Sequence, residues 1–313
     1  MRTILLALLA LLTFAPLADA VVLCAKPKKN GTFNTSVMIR EACRKSETQL
    51  DLAALGVQGL QGPQGDAGPA GTPAWDRPCP SDSVRSGGIC IDAYEASVWR
   101  IPPDAAAVLQ HTQDGTVTVD ELTASGAVPL GTESDNYAPC EDSGQNCTDD
   151  IYAVSLPGVT PSSRITWFQA QAACENAGKR LPSNAEWQAA VIGTPDPGSN
   201  DALTGCNSQT GAKALTGSRS GCRSARGAFD MVGNVYEWVA DWVPRSTTCG
   251  TWSGGVSPTS DAQCLAGAAT SAEPGALLRG GDYLSGADAG PLAVVADRAP
   301  SAFLNVVGFR CAR

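Results

Sequence analysis

Twelve cysteines and one histidine limit the chemistry open to this 313-residue chain. The cysteine count is even and no Cys-x-x-Cys occurs, so paired cysteines in an oxidising compartment are expected rather than a redox motif. His111 stands alone in Gln110-His111-Thr112-Gln113-Asp114, which argues against zinc sites and places it, by expectation, in a solvent-exposed loop. A Ser-His-Asp hydrolase would have to recruit that same imidazole. Ser218 and Ser220 lie in Gly-Ser-Arg-Ser-Gly, where Arg219 takes the place that a nucleophile elbow gives to serine. A formal charge of −9 offers no footprint for nucleic acid or an anionic membrane. The acidic excess leaves room for calcium, which takes oxygen ligands.

These residues need elements to hold them. Arg2, the apolar run Ile4 to Leu12 and Ala18-Asp19-Ala20 read as a secretory signal over residues 1–20. The run is too short to cross a bilayer, no later stretch is long enough, and the protein is expected to be secreted, extracellular or at the cell surface. A small cysteine-bounded unit follows over 21–55, basic at Lys26, Lys28, Lys29, Arg40, Arg44 and Lys45. In segment 56–73, Gly56, Gly59, Gly62, Gly65, Gly68 and Gly71 fall at every third position. That is the period of a collagen-type helix, in which only glycine fits the crowded axis of three chains, and it implies a homotrimer. A flexible Gly/Pro linker is the other reading, and both stay open.

Residues 74–313 read as one globular domain. Cys79 and Cys90 bracket a hairpin, and Leu109 to Asp150 is expected to be loop-rich. Two capping boxes mark helices. Thr166 and Gln169 start one, with Trp167, Ala170, Cys174 and Ala177 at helical spacing and Gly178 at its end. Ser183 and Glu186 start the other, with Trp187, Ala190 and Val191 on one face. Beyond Gly193, short strands and long ordered loops are expected.

Lys-Arg-Leu-Pro-Ser-Asn-Ala-Glu-Trp (179–187), Gly-Asn-Val-Tyr-Glu-Trp (233–238), Arg-Gly-Gly-Asp-Tyr (279–283) and Gly-Phe-Arg-Cys (308–311) occur in order. Together they resemble the formylglycine-generating enzymes, or sulfatase-modifying factors, over roughly Pro78 to Arg313. The resemblance implies an α+β, loop-rich fold related to the C-type lectins, with few helices, short antiparallel strands and disulfide staples. It also implies a bridge between Cys174 and Cys311. For the other ten cysteines local pairing is economical: Cys24 with Cys43, Cys79 with Cys90, Cys140 with Cys147, Cys206 with Cys222, and Cys249 with Cys264. The family further implies a structural calcium ion held by the side chains of Asp230 and Glu237 and the carbonyls near Gly233 and Val235. A second, weaker site is implied near Asn207 and Ser208. The competing role for Glu237 is a turn cap or an arginine partner.

Enzymes of this family oxidise a sulfatase cysteine with oxygen and a copper(I) ion held by two thiolates. The corresponding positions here are Ser285 and Gly290, and no cysteine lies between Cys264 and Cys311. A soft cuprous ion needs soft ligands, so copper is not expected. Another branch of the scaffold uses iron held by histidines, which His111 alone cannot provide. The resemblance therefore points to a secreted, non-catalytic binding or display module for an unknown protein or glycan. Its ligand surface is expected between the Arg-Gly-Gly and Gly-Phe-Arg words, at Asp288, Asp297, Arg298 and Asn305. The alternatives are a formylglycine-generating oxidoreductase, or a structural surface protein with no discrete ligand.

Overall fold

The computed structural model describes residues 22–30, 32–50, 78–196, 198, 205–252 and 260–313. The secretory-signal reading of 1–20 and the Gly-x-y reading of 56–73 fall outside these residues. The chain divides near residue 70 into two compact units.

The first unit is a three-stranded antiparallel sheet. Strands β1 (Val22–Pro27), β2 (Phe33–Arg40) and β3 (Thr48–Gln49) lie in the order β2-β1-β3. Cys24–Cys43 ties β1 to the turn after β2, and Arg40 pairs with Glu47 at 3.0 Å.

The second unit begins with the hairpin β4 (Ser83–Ser86) and β5 (Ile89–Asp92), stapled by Cys79–Cys90. Strand β6 (Ala96–Arg100) then centres a three-stranded sheet between β7 (Val128–Leu130) and β8 (Tyr152–Ser155). The largest sheet has six strands in the order β10-β11-β13-β12-β9-β14. They are β9 (Tyr236–Val243), β10 (Thr248–Thr251), β11 (Ala262–Ala266), β12 (Gly275–Arg279), β13 (Val294–Val295) and β14 (Val307–Phe309). Most pairings are antiparallel, but β11 with β13 and β14 with β9 are parallel. The long connections they require are the loops that carry the candidate site.

The stretch expected to be loop contains two helices, α1 (Ala106–Asp114) and α2 (Val119–Ala124). Thr118 and Glu121 form a capping box at the start of α2. His111 is therefore on a helix and not in a loop, with its Nδ1 2.8 Å from Glu121 Oε1. The two helices read from the sequence are α3 (Trp167–Asn176) and α4 (Asn184–Ala190), each with its capping box formed. Leu181, Trp238, Phe309 and the Cys174–Cys311 bridge share one core with α3, while Trp187 anchors a second with Val232, Val239 and Leu277.

All twelve cysteines are bridged, in the six combinations given above. The C-terminus is also held by buried charge. Lys179 Nζ donates to Asp82 at 2.5 Å and to Asp92 at 2.7 Å, and Arg313 reaches Asp82 at 3.0 Å. Burial raises the Asp92 carboxyl above the ordinary carboxylate range, against the opposing pull of Lys179.

Candidate functional site

The site is built where β12 ends. Arg279 is buried with its guanidinium 4.5 Å from the centre of the Trp187 ring and donates to the Ala293 carbonyl at 2.7 Å. Burial pushes its pKa down to about 10. Gly280 and Gly281 follow with φ of +87° and +88°, and a Cβ on Gly281 would stand 2.4 Å from Ala289. Only glycine accepts both the left-handed backbone and that close approach. The turn then runs through Asp282 into a short 3-10 helix, Gly286–Asp288.

The two positions that correspond to the copper thiolates lie on this connection. The Ser285 hydroxyl accepts from the Asp282 amide at 3.0 Å, so it closes the turn. Gly290 is pressed against Asp261, whose carboxylate would be 2.2 Å from any Cβ there. Asp261 in turn accepts the Leu292 amide at 2.7 Å. A hydroxyl and a hydrogen atom replace two thiolates, and the residues do not fit a cuprous ion.

Beside this connection lies a groove of about 420 Å³. Asp282, Asp288, Asp297 and Arg298 supply its charge, and Tyr236, Leu278, Val295 and Val307 supply ring and aliphatic wall. Its sulfur belongs to the Cys249–Cys264 bridge. Burial pushes the Tyr236 hydroxyl up to about 12, with the negative charges of Asp282, Asp288 and Asp297 adding to the effect. Burial likewise raises the Asp282 carboxyl. Of the residues expected to form a ligand surface, Asp288, Asp297 and Arg298 line this groove. Asn305 does not line it; its amide donates to the Tyr283 hydroxyl at 3.2 Å.

The calcium expectation meets a different arrangement. Arg310 donates from Nη2 to Glu237 Oε1 at 2.5 Å and from Nε to Oε2 at 2.7 Å, and Trp187 Nε1 donates to Oε2 at 2.6 Å. Both carboxylate oxygens therefore face fixed donors and a positive charge. Asp230, at φ +55°, accepts the Gly217 amide at 2.6 Å, and burial pushes its carboxyl up to about 6. Among the described residues no group of three or more His, Cys, Asp or Glu side chains is arranged to hold a metal ion. Glu237 is engaged by Arg310 and Trp187 and Asp230 by the Gly217 amide, so a calcium ion held by Asp230, Gly233, Val235 and Glu237 would have to displace Arg310. The arginine partnership set against calcium above is the one observed.

Asn207 and Ser208, the weaker cation candidates, are engaged in hydrogen bonds. Asn207 is fixed from both ends of its amide: Nδ2 donates to the Ala212 carbonyl and to Asn234 Oδ1, each at 2.9 Å, while Oδ1 accepts from Thr210 at 2.5 Å. Its carbonyl accepts the Asn234 amide at 2.7 Å. A Cβ on Gly233 would lie 2.4 Å from that carbonyl oxygen, and Gly233 has φ +75°, so glycine is required there. The Ser208 hydroxyl donates to the Gly198 carbonyl at 3.4 Å.

Two residues of this centre are not among the site residues read from the sequence. Glu95 accepts from the Val235 amide at 3.0 Å and from Asn234 Nδ2 at 2.5 Å. Burial raises its pKa well above the usual range, with the charges of Asp230 and Glu237 adding to that. Asn234, at φ +61°, holds the crossing of four segments through its side chain. The only local signal was the Gly-Asn pair, a combination that tolerates left-handed backbone.

The chain is similar to known proteins over part of its length. Hercynine oxygenase of Mycobacterium tuberculosis is 26% identical over 179 residues, covering 53% of this chain and 42% of that protein. The formylglycine-generating enzyme of Thermomonospora curvata is 33% identical over 101 residues, covering 26% of this chain and 33% of that protein. The chain thus spans less than half the length of these two relatives. Among solved structures, the Major Tropism Determinant I1 variant aligns with a TM-score of 0.42 at 17% identity, covering 74% of this chain and 52% of that one. Residues 116–313 match the Sulfatase-modifying factor enzyme 1-like domain, and this α+β, loop-rich, disulfide-stapled chain belongs to that family.

Proposed function

We propose that the protein is a non-catalytic member of its family, exported to an oxidising compartment, where it binds a protein or glycan ligand in the groove beside Tyr236. The observation that carries this reading is the pair Ser285 and Gly290. The first closes a turn onto Asp282, and the second is held at glycine by Asp261. With all twelve cysteines in bridges, the chain has no thiolate pair to hold copper. Six disulfides support the oxidising compartment. The groove has the size of a small-ligand site, and its three aspartates with Arg298 suit a ligand rich in hydrogen-bond donors.

Two measurements test this. Incubated with Cu(I), oxygen and a cysteine-containing sulfatase peptide, the protein is expected to leave the peptide mass unchanged; an aldehyde product would falsify the non-catalytic reading. On protein and glycan arrays, binding is expected to fall at least tenfold in the Asp288→Asn/Asp297→Asn variant. Undiminished binding by that variant removes the groove from the proposal.

A further inference from the structure

We propose that the N-terminal sheet is a trimerisation module whose apolar face packs against the same face of two other copies of this chain. The inference is independent of the groove and its ligand. Residues 22–50 form three strands with one bridge, too little chain to bury a core alone. On β2, Val37 is 47% exposed and Ile39 is 70% exposed. The register sets Ile39 beside half-buried Leu23 and Val37 beside buried Ala25, so the two exposed β2 side chains stand on one face next to apolar neighbours on β1. Phe33, 39% exposed, extends β2 at its other end.

The charge lies on the other side. Strand alternation sends Lys26 and Arg40 to the face opposite Val37 and Ile39, the face that also carries Met38 and the Cys24–Cys43 bridge. Lys26, Arg40 and Arg44 line one hollow there with Glu47. An anionic membrane would require the basic and apolar side chains to point the same way. Met38 shares the basic face, but Val37 and Ile39 do not, which favours an apolar occupant on their side and leaves the cations in water. A second and third copy of this face meet that requirement.

The sequence immediately downstream sets the copy number. Glycine recurs at every third position from Gly56 to Gly71, the period of a three-chain helix, and the copy number of three is taken from that period. Six triplets are too few to hold three chains without a flanking module, and the sheet ends at Gln49, shortly before Gly56.

The full chain is to be examined by native mass spectrometry and sedimentation across nanomolar to micromolar concentrations. A trimer is expected, with its association constant lowered at least about a hundredfold in Val37→Asp/Ile39→Asp, given the apolar area those side chains bury. Val37→Thr/Ile39→Thr keeps the β-branched shape of the strand and should shift the equilibrium in the same direction. An intact Cys24–Cys43 bridge in the peptide map shows that either variant has folded. A monomer at every concentration overturns the proposal, as does a trimer that tolerates both double variants. Capture on anionic vesicles that is lost in the variants, with the oligomeric state unchanged, also overturns it.

Discussion

Arg310 and Glu237 form a fork-to-carboxylate pair inside the protein, with both side chains almost wholly removed from water. The guanidinium also donates to the carbonyls of Asp92 and Phe229, at 3.0 and 2.8 Å. Three segments far apart in sequence are thereby joined through one side chain. Such a pair adds little net stability over an apolar replacement of both partners, but breaking it leaves an uncompensated buried charge. Glu237→Gln is expected to destabilise by about 3–5 kcal/mol, and Glu237→Leu/Arg310→Met to recover much of that loss. Guanidinium unfolding midpoints of the three proteins decide it; equal midpoints for single and double variants would mean that the pair is not coupled.

The bridges should differ in worth by loop length. Cys174–Cys311 closes a sequence separation of 137 and Cys140–Cys147 one of 7. Loop entropy assigns about 5 kcal/mol to the first and about 2.4 to the second. Replacing each pair with alanine and comparing denaturant midpoints should give that order, and a reversed order would point to native-state packing around Cys140.

A side chain at Gly290 is opposed by sterics. Gly290→Ala must displace the Asp261 carboxylate and is expected to cost about 1–3 kcal/mol, the usual range for overpacking. Ser285→Cys/Gly290→Cys should accordingly bind no stoichiometric copper(I), read by metal analysis after dialysis. One copper per chain in that variant would show that the site is rebuilt by sulfur alone.

Acid should weaken the start of α4. Arg180 hydrogen-bonds Glu186 and holds its pKa down to about 2, with the Ser183 cap acting in the same direction against burial. The folded pKa lies below the ordinary value of 4.5, so this stabilisation is present above that value and is lost as pH falls toward about 2. Glu186→Gln should flatten the fall in urea midpoint over that interval. A variant whose acid limb parallels the parent's would place the acid sensitivity elsewhere.

How much of this was legible depends on distance along the chain. Thr166 and Ser183 announced their helices because a capping box lies within four residues. The Thr118–Glu121 box carried the same signal for α2 but heads only six helical residues. Helix α1 lacks any side-chain cap at Ala105, so nothing local marked its start. In the groove, Asp288, Asp297 and Arg298 could be named as polar residues of one interval, whereas Tyr236 arrives from β9 and Asn305 turns away toward Tyr283.

The residue inventory by itself determined one imidazole, twelve cysteines spaced for local bridges, and no cysteine between Cys264 and Cys311. Such facts depend on composition and short spacing, and folding cannot alter them. Only the tertiary structure decided the fate of the buried carboxylates. Glu237 faces Arg310 across 73 residues and Glu95 faces Asn234 across 139. A carboxylate read in isolation suits a cation equally well. Which positive charge reaches it first is settled by packing, because in a dry interior the nearest donor fixes the group and excludes the rest.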